Sequence, residues 1–105
     1  MLTDPQDAFD QLVQEFRSDP RVEHGRMFGS AGLKLGDKVF AMLVKGHLVV
    51  KLSAAQAQEL ATAGVGEFFD PGHGRLMKQW IAVPATRAEQ RRSLAEQARH
   101  YVATS

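Results

Sequence analysis

The chain has 105 residues, of which 44% are hydrophobic and 24% are charged, and it carries a formal net charge of +1 at pH 7. These values are ordinary for one globular domain, long enough to close a hydrophobic core by itself. The charge falls well short of that of a dedicated nucleic-acid-binding domain, and no hydrophobic run approaches the roughly 20 residues of a membrane-spanning helix. The chain has no cysteine, which excludes disulfides and a cysteine nucleophile and suits a reducing compartment.

The amino-terminal part of the chain predicts an amphipathic helix. Asp4 can cap its start, and Pro5 suits the first helical position because its missing N–H is not needed there. The helix should end near Ser18, because Pro20 pushes the residue before it out of the helical region. The hydrophobic face of this helix consists of Phe9, Leu12, Val13 and Phe16. The start of the chain is acidic, unlike a signal peptide, and we therefore expect a cytoplasmic protein.

The next stretch predicts three strands of an antiparallel meander. Glycines interrupt the first strand, residues 22–35, and we expect a bulge or a sharp kink near residues 29–32. Glycine-containing pairs at residues 36–37 and 45–46 are typical of tight turns. Between them, residues 38–44 are hydrophobic at nearly every position, so this second strand should be covered on both faces. The third strand follows the second turn.

The second helix is predicted from the residues at its two ends. Ser53 and Gln56 have the spacing of a capping box, in which each side chain satisfies a free N–H at the start of a helix. Gly64 is placed to end the helix, because glycine readily takes the left-handed conformation. Two more strands should follow, one beginning at residues 68–69 and one over residues 76–83.

The last helix is predicted from a second capping box at residues 86–89. Its hydrophobic face consists of Leu94, Ala98, Tyr101 and Val102. The predicted fold is therefore a single two-layer α+β domain over residues 1–105, with the element order α-β-β-β-α-β-β-α. In this fold the helices lie on one face of an antiparallel five-stranded sheet.

No group of residues has the spacing that a catalytic or metal site requires. The four histidines, at positions 24, 47, 73 and 100, lack the short spacing of zinc ligands. Ser30 lies among glycines but has neither the context of a nucleophile elbow nor that of a phosphate-binding P-loop. We therefore predict no catalytic residue, no cofactor and no metal.

A turn containing Asp70, His73 and Arg75 is a weaker candidate for a ligand site. Glycines flank His73, so the backbone there could approach a phosphate or a substrate. The simpler interpretation, which we favour, is a hairpin loop that needs glycine for positive φ.

Five segments carry a pattern that is typical of one protein family. They are Arg26-Met27-Phe28-Gly29, Gly32-Leu33-Lys34-Leu35, the strands at residues 38–44 and 48–52, and Ile81-Ala82-Val83-Pro84 before the last helix. They resemble the amino-terminal domain of the TfoX/Sxy family over nearly the whole chain. The resemblance implies a two-layer α/β fold, with helices packed on an antiparallel sheet, and no catalytic residues.

The same resemblance implies a role in regulation. Members with known roles regulate natural transformation competence and act with the transcription machinery or with a cyclic-AMP receptor protein. Those regulators also carry a second, carboxy-terminal helical domain, which this sequence lacks. We therefore expect a stand-alone amino-terminal domain.

The first functional hypothesis is a non-enzymatic regulatory or protein-interaction module of this type, with a protein partner in transcription regulation. The second is a small-ligand-binding protein or an enzyme that uses the glycine-rich turns near Ser30 and His73, and it requires a concave pocket. The third is direct DNA binding through the basic residues, although we expect no specific DNA binding by this domain alone. We expect no membrane partner.

A homodimer is predicted from the second strand. Alternate residues of a strand point to opposite faces, so the helices contact only one of two sets, either Phe40, Met42 and Val44 or Val39, Ala41 and Leu43. The face that points away is then too hydrophobic for a monomer, and a second copy should cover it. The candidate interaction face consists of Val39, Ala41, Leu43, Val49 and Trp80. The alternative is that the first strand or the acidic first helix wraps this face.

Overall fold

The computed structural model describes residues 5–27, 30–36, 38–70, 77–84 and 88–104, which form three helices and one sheet of six strands. In chain order the elements are α1 (Pro5–Phe16), β1 (Val22–Met27), β2 (Ser30–Leu35), β3 (Lys38–Val44), β4 (His47–Lys51), α2 (Ala54–Thr62), β5 (Glu67–Phe69), β6 (Met77–Val83) and α3 (Ala88–Thr104). The strands lie in the order β1-β2-β3-β4-β6-β5, and every neighbouring pair is antiparallel. The predicted α+β class is confirmed.

The predicted number of five strands is wrong. The predicted first strand is a hairpin of two strands, in which Val22 pairs with Leu35 and Met27 pairs with Ser30. The chain therefore reverses direction between Met27 and Ser30, where the sequence predicts only a bulge or a kink. The sequence conceals this reversal because the stretch is rich in glycine and lacks a regular alternation of polar and hydrophobic residues.

The turn between β3 and β4 lies where the sequence predicts it. Val44 pairs with His47, so Lys45 and Gly46 alone connect the two strands. Their φ angles are +50° and +80°. Positive φ at both central residues is typical of a type I′ turn, whose twist matches the twist of the flanking strands. The turn after β2 also uses positive φ, at Gly36, where φ is +62°.

Strand β3 contains a bulge at Phe40. Lys34 of β2 pairs with Val39, but the preceding residue, Leu33, pairs with Ala41, so Phe40 is an extra residue in the ladder. Phe40 and Ala41 are adjacent in sequence, yet both are fully buried in the same hydrophobic core. The bulge therefore turns two consecutive side chains of β3 toward the helices.

Helix α1 begins at Pro5 and buries its predicted hydrophobic face in the core. The ring of Phe16, at the end of this helix, lies 5.5 Å from the ring of Phe40 at an interplanar angle of 64°. This edge-to-face contact joins α1 to the bulge in β3. The predicted caps of α1 and α3, Asp4 and Thr86, lie outside the described residues.

Helix α2 has both predicted ends. The Ser53 hydroxyl oxygen accepts a hydrogen bond of 3.2 Å from the backbone N–H of Gln56. At the other end, Gly64 has a φ of +77° and its N–H donates to the carbonyl of Ala61, while the next N–H donates to the carbonyl of Leu60. This pair of hydrogen bonds is a Schellman motif, and it ends the helix with these carbonyls paired.

All three helices pack on one face of the sheet. Helix α3 contacts β2, β3 and β4, α2 contacts β5 and β6, and α1 contacts α3 and β3. Fully buried side chains of the core that they form include Phe9, Leu33, Phe40, Leu48, Leu52, Ile81 and Val83. No described helix therefore lies over the opposite face of the sheet.

In the part of the chain that the structure describes, every helix is too short or too polar to cross a membrane.

Candidate interaction surface

The face of the sheet opposite the helices has a hydrophobic centre. Strand pairing places Met42, Val49 and Ala82 in one row across β3, β4 and β6. Met42 is 8% exposed and Val49 is 0% exposed, although neither belongs to the core formed with the helices. Together with four partly buried neighbours, Met42 and Val49 form the helix-free face, which consists of Val39, Met42, Val44, Val49, Trp80 and Ala82.

The structure divides the predicted interaction face into two groups. Val39, Val49 and Trp80 lie on the helix-free face. Ala41 and Leu43 do not, because Ala41 belongs to the core on the helix side and Leu43 packs against it. Their assignment to the interaction face is wrong. The bulge causes the error, since it interrupts the alternation of side chains between Val39 and Ala41.

The predicted interaction face left out three residues of the helix-free face, namely Met42 and Val44, two residues of the other alternate set of β3, and Ala82. One signal could have found the first of them. A two-residue turn after Val44 sets the register of β3 on β4, and counting back from the turn pairs Met42 with Val49. Ala82 joins this row only because β6 pairs with β4, which local sequence patterns do not indicate.

A groove of about 270 Å³ opens on this face. Hydrophobic side chains form most of its lining, and they are Val44, Val49, Phe68, Phe69 and Ala82. Its polar lining comes from the turn between β3 and β4, the start of β4, and β5 with the residue after it, and consists of Lys45, His47, Glu67 and Asp70. The groove therefore offers a hydrophobic floor, with positive charge at one end and negative charge at the other.

Charged side chains flank the hydrophobic centre. The Lys51 ammonium nitrogen lies 5.8 Å from the centroid of the Trp80 ring, which is within cation–π range. On the other side of the face, the Lys34 Nζ atom lies 3.6 Å from the Glu23 Oε2 atom in an exposed ion pair. A hydrophobic centre with a polar rim is the usual anatomy of a protein–protein interface.

The structure tests little of the predicted ligand turn. Asp70 lies at the edge of the groove, whereas His73 and Arg75 lie outside the described residues. Ser30 is the first residue of β2 and pairs with Met27. Over residues 5–27, 30–36, 38–70, 77–84 and 88–104, no three acidic, histidine or cysteine side chains are grouped so that they could hold a metal ion.

Two arginines of α3, Arg92 and Arg99, form ion pairs with carboxylates. The Arg92 Nε atom lies 3.4 Å from a Glu15 carboxylate oxygen and 3.5 Å from a Glu96 carboxylate oxygen. Arg99 binds Asp19, with its Nη2 atom 2.6 Å from the Oδ2 atom. These ion pairs join α3 to α1 and to the turn after it. They also neutralise charge that a DNA phosphate would otherwise attract.

A second groove, of about 350 Å³, lies on the helix side and is lined mainly by polar side chains of α2 and α3. Gln97 of α3 lines it and makes one hydrogen bond to α2 and one within α3. Its Oε1 atom accepts from the Gln56 amide at 3.4 Å, and its own amide donates to the Ser93 hydroxyl oxygen at 3.1 Å. The ligand-binding hypothesis requires a concave site of this kind, but these side chains bond to one another across it.

The fold and the site define a small two-layer α+β domain with a hydrophobic sheet face that no described helix covers. The family model described as the TfoX N-terminal domain matches residues 11–104. The chain therefore belongs to the TfoX N-terminal domain family, and the resemblance read from its sequence is confirmed. Comparison with curated proteins gives no match.

Proposed function

We propose that this chain is a non-enzymatic regulatory module that acts by binding other proteins, as the TfoX-type competence regulators do. The observation that carries the proposal is the helix-free face. Val39, Val44, Trp80 and Ala82 are partly buried and present hydrophobic surface there, around Met42 and Val49, which their neighbours already bury. A contiguous patch of exposed hydrophobic side chains usually marks a site of protein association.

The distribution of charge supports protein binding over DNA binding. Among the described charges near the helix-free face, Glu23 and Lys34 pair with each other and Lys51 lies against Trp80, while Lys45, Glu67 and Asp70 line the groove. The net charge of the whole chain is only +1. Strong phosphate binding requires a cluster of positive charges, whereas an interface requires a hydrophobic centre with a polar rim.

Family membership supports a transcription protein as the partner. Regulators of this family act with the transcription machinery or with a cyclic-AMP receptor protein, and we propose that this chain binds a transcription protein of its own host. The regulation of competence is the process that this partnership would serve.

The test is a binding measurement with purified RNA polymerase and purified cyclic-AMP receptor protein from the host bacterium. Val44→Glu places a charge on the helix-free face, and Ala55→Glu places the same charge on the exposed side of α2 as a matched control. We expect the wild type and Ala55→Glu to bind one of the two proteins and Val44→Glu to bind it at least tenfold more weakly. Equal binding by the two variants contradicts the proposal. Failure of the wild type and of both variants to bind either partner protein also contradicts it.

A further inference from the structure

Trp80 and the groove lie next to each other on the helix-free face. Ala82, in the lining of the groove, follows Trp80 by two residues along β6, which is about 7 Å at the usual rise of a strand. Side chains two residues apart in a strand point to the same face. The indole and the groove are therefore neighbours that face the same way.

The groove has the size and the chemistry to hold an indole ring. Its volume of about 270 Å³ suits one large side chain, and the partly buried Ala82 and Phe69 give it a hydrophobic lining. Glu67 at its edge supplies a carboxylate that can accept a hydrogen bond from an indole N–H. Tryptophan is among the side chains most enriched at the energetic centres of interfaces, because it combines a large hydrophobic surface with one polar handle.

Trp80 is already positioned for such a contact. It is partly buried rather than fully exposed, and the Lys51 ammonium group lies 5.8 Å from its ring. Lys51 and Trp80 are direct cross-strand partners, so the positive charge accompanies the indole. A groove that receives Trp80 from another molecule therefore also receives a lysine, and the negative side chain of Glu67 complements it.

We infer that the groove of each molecule holds Trp80 of a second copy of this chain, in a two-fold symmetric dimer. The inference rests on the proposed function in one respect, namely that the helix-free face is the interaction surface, so the second copy and the transcription protein would compete for it. A two-fold axis repeats every contact, so when the indole of one copy enters the groove of the other, the reverse contact forms as well. A second copy supplies both a tryptophan for the groove and a groove for Trp80, whereas a different partner protein would have to supply each of these separately.

The size of the face is sufficient for this dimer. Six strands at about 4.8 Å spacing and about 20 Å of strand length give about 600 Å² per copy for this whole side of the sheet, of which the helix-free face on β3, β4 and β6 is the hydrophobic part. Two copies would bury about 1,200 Å², at the lower end of specific interfaces. We therefore expect a dimer that forms at micromolar concentration and dissociates on dilution.

The wild-type chain gives the first test, because Trp80 is its only tryptophan. Light scattering after size exclusion should give about 23 kDa, twice the chain mass of 11.6 kDa, at about 100 μM. On dilution to about 0.1 μM the tryptophan emission should shift to longer wavelength as the indole becomes exposed to water. A mass of one chain at 100 μM overturns the dimer, and an emission maximum that does not change while the dimer dissociates overturns the role of Trp80.

Two variants test the pairing of indole and groove. Trp80→Ala removes the indole, and Ala82→Glu places a charge in the groove. Each should raise the dimer dissociation constant by about 30-fold or more, as expected for a residue at the energetic centre of an interface. Ala55→Glu, on the opposite side of the molecule, should leave it unchanged. Dimers of undiminished affinity in both variants overturn the inference.

Mixing the two variants gives a complementary test. Trp80→Ala keeps its groove and Ala82→Glu keeps its indole, so a mixed dimer restores one of the two contacts. The mixture should therefore form dimers at a concentration at which neither variant does so alone. A mixture that forms no more dimer than the two variants form separately overturns the inference. A wild-type monomer that still binds a transcription protein through the helix-free face would overturn this dimer and leave the proposed function intact.

Discussion

Arg99 in the last helix binds Asp19 through two N–H groups that are directed at one carboxylate oxygen. The Nε and Nη2 atoms lie 2.7 and 2.6 Å from Oδ2. The other carboxylate oxygen accepts a hydrogen bond of 2.9 Å from the backbone N–H of Arg21. Asp19 precedes β1 and Arg99 lies 80 residues later, so this contact fastens the chain between α1 and β1 to α3.

The contacts of Asp19 with Arg21 and Arg99 should make the stability of the domain depend on pH. The backbone N–H of Arg21, followed by the Arg99 guanidinium, lowers the pKa of Asp19 below its usual value of 3.8. A carboxylate with a lowered pKa stabilises the fold at pH values above its pKa in the unfolded chain. That contribution disappears as the pH falls through the lowered pKa of the folded state.

We expect Asp19→Asn to lower the melting temperature at pH 7, and the difference from the wild type to shrink as the pH falls from about 5 to about 2. Thermal unfolding followed by circular dichroism across that range is the measurement. Glu59→Gln, at an exposed position of α2, is the control and should unfold like the wild type at pH 7. A difference that stays constant with pH would show that Asp19 acts without its charge.

Gly66 should be intolerant of any side chain. A Cβ atom at this position would lie 2.7 Å from the carbonyl oxygen of Ala82 and 2.7 Å from the Ile81 Cγ2 atom. Gly66→Ala should therefore reduce the free energy of unfolding by about 1–3 kcal/mol, the usual cost of overpacking. Urea unfolding measures this change.

Gly25 provides the matched control for that experiment. A Cβ atom there meets no other atom within 4 Å, and the residue lies in strand β1. Gly25→Ala should stay within about 0.5 kcal/mol of the wild type or be slightly more stable, because alanine has less conformational freedom to lose on folding. Equal losses at the two positions would contradict the close contact at Gly66.

Lys45 is a place where the domain can be stabilised. Its φ of +50° disfavours a side chain with a Cβ atom, and Gly46 follows it in a type I′ turn. Lys45→Asn creates the Asn-Gly pair that such turns favour and should raise the free energy of unfolding by about 0.5–1 kcal/mol. Lys45→Ala removes the same charge but keeps the unfavourable φ, so it should bring no gain. Chemical unfolding of both variants separates the two effects.

The isolated domain should bind DNA weakly and without sequence preference. Arg92 and Arg99 are engaged by carboxylates, and the net charge of the chain is +1. Residual binding should fall steeply between about 50 and 200 mM salt, because it depends on the release of counterions. Gel-shift titrations at several salt concentrations measure it. Sub-micromolar, sequence-selective binding at physiological salt would contradict this prediction.

Local signals in the sequence were sufficient for the helices and for two of the turns. The hydrophobic face of α1, the Ser53 cap, the end of α2 at Gly64 and the turn at Lys45 each depend on residues within a few positions of one another. Periodicity, capping and positive φ are properties of short segments, and their sequence patterns are the same whatever the fold.

The interaction surface depended instead on contacts between distant segments. The pairing of β2 with β3 places a bulge at Phe40, and this bulge assigns Val39 to the helix-free face and Ala41 to the core. No local pattern marks that bulge, because every residue from Val39 to Val44 is hydrophobic and suits either face. The insertion of β6 between β4 and β5 brings Trp80 and Ala82 beside Val49 in the same way. Strand register and strand order are decided by which distant segments pack best together, and only the folded structure records that choice.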